Sequence, residues 1–504
     1  MAFISSSVET MGTFRVAESN PVDLNVNHLP NASQIGGPAV NGPRRERRQP
    51  IMGGTARRCC RGLAAGIAAG AAALGWSAAP AHASGYFLRD QSAVGQGSSF
   101  AGSTARADDP SMQFFNPASM VRLPGFQTSL VGTYVGPRSE VESSSGRRAA
   151  ALGGSAILGS TDGDVAQDAF VPATYTTAQI APDWWLGLSV NSPWGLITKT
   201  GAGDVARYHA MTSVLRTFEI APSVAWKATP EFSLGAALIV QHMSARLSNA
   251  VDFGSIGAAA GLGRLGLRPG SADGIGSVKG DDYSLGWQVG ALWEPHPGTR
   301  LGANFRSAIF QNLDGSWLSF ENVPAALANS FRATRASTKV TTPESVTLGL
   351  SQALGNRWTL LSDVSWTNWS RFQELRIKAD GRADTVTAEN WRDTIFASVG
   401  AEYQVNDKLR LRTGFAYDQT PVKTAYRTPR LPDTDRYWLS VGASYKVTER
   451  MEISAGYSHI FARDGIVSLS SGSNPGSSDF LRGNLEQRYN NAVDVFALQA
   501  RIAL

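Results

Sequence analysis

The sequence predicts an all-β fold: a 14-stranded antiparallel transmembrane β-barrel with an N-terminal hatch (plug) inside the lumen. Apolar and polar residues alternate in segments of roughly ten residues, which is typical of a tilted strand between lipid and a polar lumen. Short and long connections alternate between these segments, and a leader for export precedes them. Leu292 interrupts the otherwise polar face of the segment 283–294. Its apolar face carries Tyr283, Leu285, Trp287, Val289, Ala291 and Trp293.

The first 83 residues are predicted to lie outside the mature barrel. Residues 1–51 are polar, rich in Pro, Asn and Arg, and without periodicity, so we predict a non-native or disordered extension. Either translation starts at Met52 or the chain has an unusually long leader. Residues 52–83 are predicted to be a signal peptide, because a charged start and an apolar run precede a small-x-small cleavage site. Cleavage is expected near Ala83/Ser84.

Composition excludes several functional classes. The formal net charge is +5, but residues 1–83 hold eight Arg and four acids, which leaves 38 basic against 37 acidic residues. This balance offers no basic surface to a nucleic acid, so no such partner is predicted. Both cysteines, Cys59 and Cys60, precede the cleavage site. Disulfide, metal-thiolate and cysteine-nucleophile chemistry are therefore excluded from the processed chain. We predict no cofactor and no metal site.

Period-two alternation and turn residues predict fourteen strands in a barrel domain spanning residues 126–504. An even number closes a single-chain barrel with both ends in the periplasm. Short connections such as Ala181-Pro182-Asp183 alternate with long ones, as expected for periplasmic turns and extracellular loops. The predicted spans are 126–136, 169–180, 184–191, 214–227, 232–244, 282–293, 300–311, 340–352, 358–375, 391–405, 408–418, 436–447, 451–462 and 489–504.

Charged residues fix which face of each strand points inward. Arg410 and Arg412 alternate with Leu409 and Leu411 on one strand. An Arg turned toward lipid near the bilayer midplane costs about 2–4 kcal/mol, so the arginine face is predicted to line the lumen. The same parity turns Arg306 and Lys446 inward.

Residues 84–125 precede the first strand and lack sustained alternation. A fourteen-stranded barrel encloses a lumen wider than side chains alone fill. We therefore predict that this segment folds inside the barrel as the hatch. The alternative is a mobile periplasmic tail, against which five apolar residues argue: Phe87, Leu88, Phe100, Phe114 and Phe115.

Short motifs in a defined order carry a family resemblance. The segment 84–118 ends in Asn116-Pro117-Ala118. Later motifs are Ser192-Pro193-Trp194-Gly195-Leu196, Trp366-Thr367-Asn368-Trp369-Ser370, Asn390-Trp391-Arg392-Asp393 and Pro432-Asp433-Thr434-Asp435-Arg436. Over essentially all of residues 84–504 the chain resembles the FadL/TodX family of outer-membrane channels for long-chain fatty acids and hydrophobic hydrocarbons.

The resemblance implies a passive channel for uptake of hydrophobic molecules, either long-chain fatty acids or aromatic and aliphatic hydrocarbons. In that family, ligand is captured at the extracellular loops, and a hatch movement lets it leave sideways through a gap at a kinked third strand. The implied lateral opening lies at Pro193, which cannot donate to the ladder, and Gly195, which has no side chain to fill a gap. An ordinary strand end is the alternative. The implied hatch and gating residues are Phe87, Leu88, Asn116, Pro117 and Ala118.

Candidate ligand contacts lie in a loop and in the lumen. A fatty-acid carboxylate favours a nearby cation, and the inward-facing candidates are Arg306, Arg410, Arg412 and Lys446. Structural networks with Glu402 and Asp363 are the alternative, and an aromatic hydrocarbon needs no cation, so the substrate stays open. The loop 312–339, with an expected short helix at 324–335, offers an apolar capture surface, for which ordinary loop packing is the alternative. Its members are Trp317, Leu318, Phe320, Val323, Leu327 and Phe331.

Two other functional classes compete with this reading. A general polar porin would lack a hatch, and an outer-membrane enzyme would need a clustered nucleophile and base. The processed chain has no Gly-x-Ser-x-Gly motif and four scattered histidines, so no enzymatic activity is predicted. We expect a monomer that crosses the bacterial outer membrane many times, in contact with lipid and lipopolysaccharide.

Overall fold

The computed structural model describes residues 85–474 and 477–504 of the chain. The predictions for residues 1–51, for the signal peptide at 52–83 and for its cleavage site lie outside these described residues. Within them, the dominant feature is one continuous antiparallel sheet closed into a barrel. No helix in the described part of the chain is long and apolar enough to cross a membrane.

Fourteen strands form the barrel wall. Eight are continuous: β1 (Phe126–Arg147), β2 (Ala169–Ala181), β4 (Thr212–Lys227), β5 (Phe232–Asp252), β6 (Asp273–His296), β11 (Leu409–Asp418), β12 (Arg436–Thr448) and β14 (Asn484–Ala503). Six have a break: β3 (Trp184–Asn191 and Gly195–Lys199), β7 (Thr299–Arg306 and Ile309–Glu321), β8 (Thr334–Thr342 and Ser345–Leu354), β9 (Trp358–Thr367 and Glu374–Ala379), β10 (Thr385–Ala388 and Thr394–Gln404) and β13 (Met451–Ala462 and Gly465–Leu469).

Consecutive strands pair antiparallel all the way around, and β1 pairs with β14 to close the barrel, with Gln127 opposite Ala503. Turns of a few residues join the strands at one rim, and long connections join them at the other. The predicted all-β fold, strand number and segregation of loop lengths are thereby confirmed. The rim with long connections is the extracellular end by the rule for such barrels.

The inward and outward faces alternate as the charge argument requires. On β6, Leu285 is 66% exposed on the outer surface, whereas Gln288 on the other face is buried. Arg412 is buried in the lumen and its neighbour Leu411 is exposed outside. The predicted register is therefore confirmed, and the outer surface of the barrel is aliphatic and aromatic.

Several strands reach farther toward the extracellular end than the pattern predicts. β6 begins at Asp273 rather than 282, and β5 ends at Asp252 rather than 244. Above the lipid band both faces carry polar residues, so the alternation that marks a strand disappears while the backbone pairing continues. The helix expected at 324–335 is wrong: only Ala325–Leu327 forms a 3₁₀ turn, and Thr334–Thr342 pairs with β7.

The segment 85–125, the plug, lies inside the barrel. It contains the short helix α1 (Ala93–Gln96) and two 3₁₀ turns, Pro110–Phe114 and Pro117–Arg122. Its apolar residues Leu88, Phe100, Phe114 and Phe115 are buried. Hydrogen bonds join it to strands on all sides of the lumen: Gln91 to Tyr175, Asn116 to Ala291, Thr104 to Asp363, Ser99 to Ser440 and Ala93 to Gln499.

A girdle of inward-facing glycines gives this segment its room. A side chain added at Gly442 would place its Cβ 2.6 Å from the Cα of Gly97, and one at Gly414 would overlap the backbone of Ser98. Only glycine permits backbone to approach backbone this closely. The girdle consists of Gly187, Gly235, Gly290, Gly302, Gly349, Gly400, Gly414, Gly442 and Gly456.

Candidate functional site

The barrel wall has a defect between β2 and β3. Their ladder runs from Ala181 opposite Trp184 to Thr174 opposite Val190. It is then interrupted, and pairing in the same register resumes only at the isolated bridge between Ala166 and Thr198. β3 itself breaks after Asn191 and resumes at Gly195 against β4. The three residues of the break include Pro193, which has no N–H to donate to a ladder. The defect therefore lies at the two positions, Pro193 and Gly195, singled out from the sequence.

The start of the N-terminal segment covers this defect from inside. Phe87 forms an isolated antiparallel bridge with Trp194, in the place where β2 would otherwise pair with β3. Residues 86–91 thus satisfy polar groups of Ser192, Pro193 and Gly195, whereas Thr217 of β4 bonds the backbone N–H and carbonyl of Trp194. The contacts are Leu88 N to Pro193 O at 2.7 Å, Gly195 N to Tyr86 O at 2.8 Å and Gln91 Nε2 to Ser192 O at 3.0 Å.

Aromatic rings surround the same place. Tyr86 lies 4.8 Å from Trp369 and 5.9 Å from Trp194, measured between ring centres. Trp369 and Trp391 are 5.0 Å apart behind it. On the other side, the guanidinium of Arg89 stacks 3.9 Å from the ring centre of Phe396. Residues 86–89 are therefore held by apolar and cation–π contacts as well as by backbone bonds.

Asn116 ties the segment to the barrel at a second point. Its side chain is completely buried. Nδ2 donates to Thr104 O at 2.8 Å and to Ala291 O of β6 at 2.9 Å, and Oδ1 accepts from Ala118 N at 3.0 Å. Asn116 thus caps the turn that Pro117 begins, and it satisfies backbone groups of both plug and wall.

The inward-facing cations predicted as carboxylate ligands are mostly engaged with acids. Arg306 forms a buried ion pair with Glu219. Arg412 lies 2.9 Å from Glu402, and Arg410 lies 2.9 Å from Asp108 of the plug. All three arginines thus have acid partners, and Arg410 and Arg412 share Glu402. Lys446 lines a cleft of about 340 Å³ at the periplasmic end, with Arg300, Arg501 and Glu452.

An apolar pocket of about 410 Å³ opens at the extracellular end. This volume lies within the range of roughly 300–1,000 Å³ for sites that hold small ligands. Three residues expected to form the capture surface line it, namely Leu318, Phe320 and Phe331, whereas Trp317 lies exposed. Its other apolar lining residues include Leu247, Val251, Ile256, Val278, Leu375, Ile377 and Leu481.

Three guanidinium groups border this pocket: Arg382, Arg430 and Arg482. Arg482 is paired with Asp479 at 3.0 Å. Arg430 donates to Thr212 O at 3.2 Å and to Ser213 Oγ at 3.1 Å, and it forms no ion pair within the described residues. Burial, together with the charge of Arg482, lowers the pKa of Arg430 to about 9. The group therefore stays charged at neutral pH, and an anion in the pocket would stabilise it.

A small cavity lies between the plug and the wall near the defect. It lies beside Phe87, Arg89 and Phe396 and has a volume of about 30 Å³, enough for water but not for an acyl chain.

Sequence reasoning found some parts of this site and missed others. The structure brings together Phe87, Leu88, Pro193 and Gly195, as the resemblance implies. Arg430 and Arg482 were missed, because they lie in long connections without periodicity. The motif beginning at Pro432, two residues after Arg430, was the available signal. In the described residues no group of His, Cys, Asp or Glu is arranged to hold a metal ion.

Comparisons with known proteins agree with this architecture. Residues 74–504 match the family described as outer membrane protein transport protein (OMPP1/FadL/TodX). The outer membrane protein NMB0088 of Neisseria meningitidis is 31% identical, over 84% of this chain and 95% of that protein. The long-chain fatty acid transport protein of an Escherichia coli O6:H1 strain is 27% identical, over 72% of this chain and 82% of that protein. A Pseudomonas aeruginosa FadL homologue superposes with a TM-score of 0.75 at 25% identity, covering 83% of this chain and 99% of that structure.

Proposed function

The chain belongs to the OMPP1/FadL/TodX family of outer membrane transport proteins, and we propose that it carries hydrophobic carboxylates, long-chain fatty acids above all, passively across the outer membrane. One observation carries the proposal: an apolar pocket, bordered by a guanidinium that forms no ion pair in the described residues, lies at the extracellular end of a barrel whose wall defect is covered by a plug. A water-filled pore would serve such a cargo poorly, because each methylene favours an apolar site by about 0.8 kcal/mol.

Capture takes place in the extracellular pocket. The acyl chain lies among Leu318, Phe320 and Phe331, and the carboxylate lies toward Arg430. Arg482 adds positive charge beside it, because its partner Asp479 is half-exposed and holds it only weakly. This placement replaces the lumen cations Arg306, Arg410 and Arg412, whose partners are already acids. A relative named as a long-chain fatty acid transport protein supports the same substrate class.

Exit takes place at the wall defect. Movement of residues 86–91 away from Pro193 and Gly195 would uncover backbone and the small side chains of Ala169, Val171 and Ala173 on β2. The cargo then passes sideways into lipid. The periplasmic cleft is a poor alternative route, because charged side chains line it.

Binding of palmitate and of toluene to the purified protein tests the substrate class. We expect Arg430→Gln/Arg482→Gln to weaken palmitate binding about tenfold or more, since each charge-assisted hydrogen bond contributes roughly 1.5–3 kcal/mol. Toluene binding should not change. Arg376→Gln is the control, because Arg376 is exposed and paired with Glu374 and Asp384. Equal palmitate affinity in all variants would refute the carboxylate assignment and favour an uncharged hydrocarbon.

Conductance separates the plugged channel from a general polar porin. Because the plug occupies the lumen, the wild-type protein in a planar bilayer should pass only a small ionic current. A large, steady current would reject the proposal in favour of a polar porin.

A further inference from the structure

Four cations form a basic patch on the outer surface of the barrel. Lys199, Arg216, Arg246 and Lys279 lie at the extracellular ends of β3, β4, β5 and β6 respectively. They border a surface depression of about 370 Å³. Its remaining lining residues are apolar or uncharged: Ile197, Thr212, Val214, Ser244 and Ala245.

The strand register brings these cations close to one another. Arg246 stands directly opposite Lys279 on the neighbouring strand. Arg216 stands opposite Ser244, so Arg246 is its diagonal neighbour on the same face. Like charges directly opposite each other destabilise a sheet, and diagonal neighbours at roughly 7–8 Å are within reach of long side chains. An anion placed between them would remove this repulsion.

The protein itself supplies no such anion. Within the described residues, none of the four side chains has an ion pair or a hydrogen bond, and no acid lines the depression. Asp281, two residues from Lys279 on the same face, has its carboxylate 3.4 Å from His242 Nε2. On β14, by contrast, the exposed Arg488 is paired with both Glu142 and Asp464.

The patch borders the lipid-facing band. Below Lys279 on the same face of β6 follow Tyr283, 70% exposed, and Leu285, 66% exposed. Leu238 of β5 and Ile220 of β4 continue this apolar surface. A headgroup at the patch would therefore have its acyl chains against the band, whereas a free anion would gain nothing from it.

We propose that this basic patch binds the phosphoryl groups of a phosphorylated glycolipid of the outer leaflet, the lipid A of lipopolysaccharide. The two arginines hold phosphoryl oxygens through paired N–H donors, and the two lysines add charge. The acyl chains lie along Tyr283, Leu285 and Leu238. This site is separate from the transport pocket, because its residues face outward.

Native mass spectrometry of the purified full-length protein with bis-phosphorylated lipid A tests the proposal. We expect Arg216→Gln/Arg246→Gln to lower lipid A affinity about tenfold or more, and Arg216→Lys/Arg246→Lys to restore part of it. The control is Arg376→Gln/Arg488→Gln, which removes the same charge from arginines that already have acid partners. It should bind like the wild type. Heat-modifiable migration in gels verifies that each barrel is folded.

Two further binding measurements identify the ligand. Fully dephosphorylated lipid A should bind the wild type and Arg216→Gln/Arg246→Gln equally weakly, and inorganic phosphate at millimolar concentration should displace lipid A only slightly. Equal binding of phosphorylated and dephosphorylated lipid would overturn the proposal. So would full displacement by inorganic phosphate, or an unchanged affinity in Arg216→Gln/Arg246→Gln.

Discussion

Asn116 shows how one residue joins the plug to the wall. Asn116→Ala leaves the carbonyls of Thr104 and Ala291 without their donor in a buried site and removes the cap from Ala118. Each unsatisfied buried group costs about 1–3 kcal/mol. We expect the plug to loosen while the barrel stays folded, so that planar-bilayer current rises several-fold over the wild type.

Asn406→Ala is the matched control for this substitution. Asn406 also caps backbone N–H groups, those of Lys408 and Leu409, but in an exposed periplasmic turn. The planar-bilayer current of Asn406→Ala should stay at the wild-type level. An unchanged current in Asn116→Ala would show that Asn116 is not needed to hold the plug.

The ionisation of Glu389 should make carboxylate binding depend on pH. Burial raises the pKa of Glu389 to about 7, and its carboxylate feels the charges of Arg430 and Arg482. The other titratable neighbours are Tyr86 and His209, and burial keeps both neutral near pH 7 by raising the pKa of Tyr86 and lowering that of His209 to about 3. Below pH 7 Glu389 is protonated and leaves Arg430 to the ligand. Above pH 7 it ionises and competes.

Palmitate affinity should therefore fall as pH rises from 6 to 8, by a few-fold, whereas toluene affinity should stay constant. Titration of each ligand at the two pH values measures this difference. In Glu389→Gln the palmitate dependence should vanish. A dependence that persists in Glu389→Gln would assign it to another group.

At the scale of elements, the glycine girdle and the plug depend on each other. Gly414→Ala would place a methyl group against the backbone of Ser98. Overpacking of this kind costs about 1–3 kcal/mol. We expect the plug to be displaced and not the strand, because ladder hydrogen bonds hold the strand on both sides. We expect residues 85–125 to become sensitive to protease in folded barrels. Gly203→Ala, with no atom within 4 Å of the added carbon, should leave them protected; equal protection in both variants would contradict this role.

Strand positions could be read from the sequence because lipid imposes a strict requirement on every second residue. Where that requirement ends, prediction fails: β5 and β6 continue above the band through Arg246, Ser248 and Lys279, which carry no apolar signal. Leu292 broke the inward pattern for a definite reason. It is 1% exposed and packs with Ala118, Met120 and Val121 of the plug, so the lumen at that point is a protein core.

The residues proposed to bind the ligand could be predicted less well from the sequence. The alternation of residues along the strands predicted that Arg306 and Arg412 face the lumen. It does not reveal whether an acid on a neighbouring strand or on the plug pairs with them. Arg430 has no periodic context, and its importance comes from burial and from the proximity of Arg482. Only the folded chain shows which charges are compensated.

At the scale of the whole molecule, the plug completes the wall where the ladder between β2 and β3 is interrupted. The pair Phe87 and Trp194 is flanked by the bonds from Leu88 N and Gly195 N, so these two residues are a non-hydrogen-bonded pair. In such pairs the Cα atoms lie about 4.5 Å apart, which falls within the roughly 4.4–6.8 Å that a disulfide spans. The described residues contain no cysteine, so an introduced pair has no competitor in them.

Phe87→Cys/Trp194→Cys should therefore lock the plug across the wall defect when oxidised. If cargo leaves sideways, palmitate uptake by cells should stop under oxidation and return after reduction, because the backbone beside Pro193 is uncovered only when residues 86–88 move. Binding at the extracellular pocket should persist in both states, since neither Phe87 nor Trp194 lines that pocket. Phe87→Cys alone serves as the control and should transport equally in both states. Undiminished uptake through the locked barrel would move the exit from the wall to the periplasmic cleft, against the charge of Arg300, Arg410 and Arg501 that lines it.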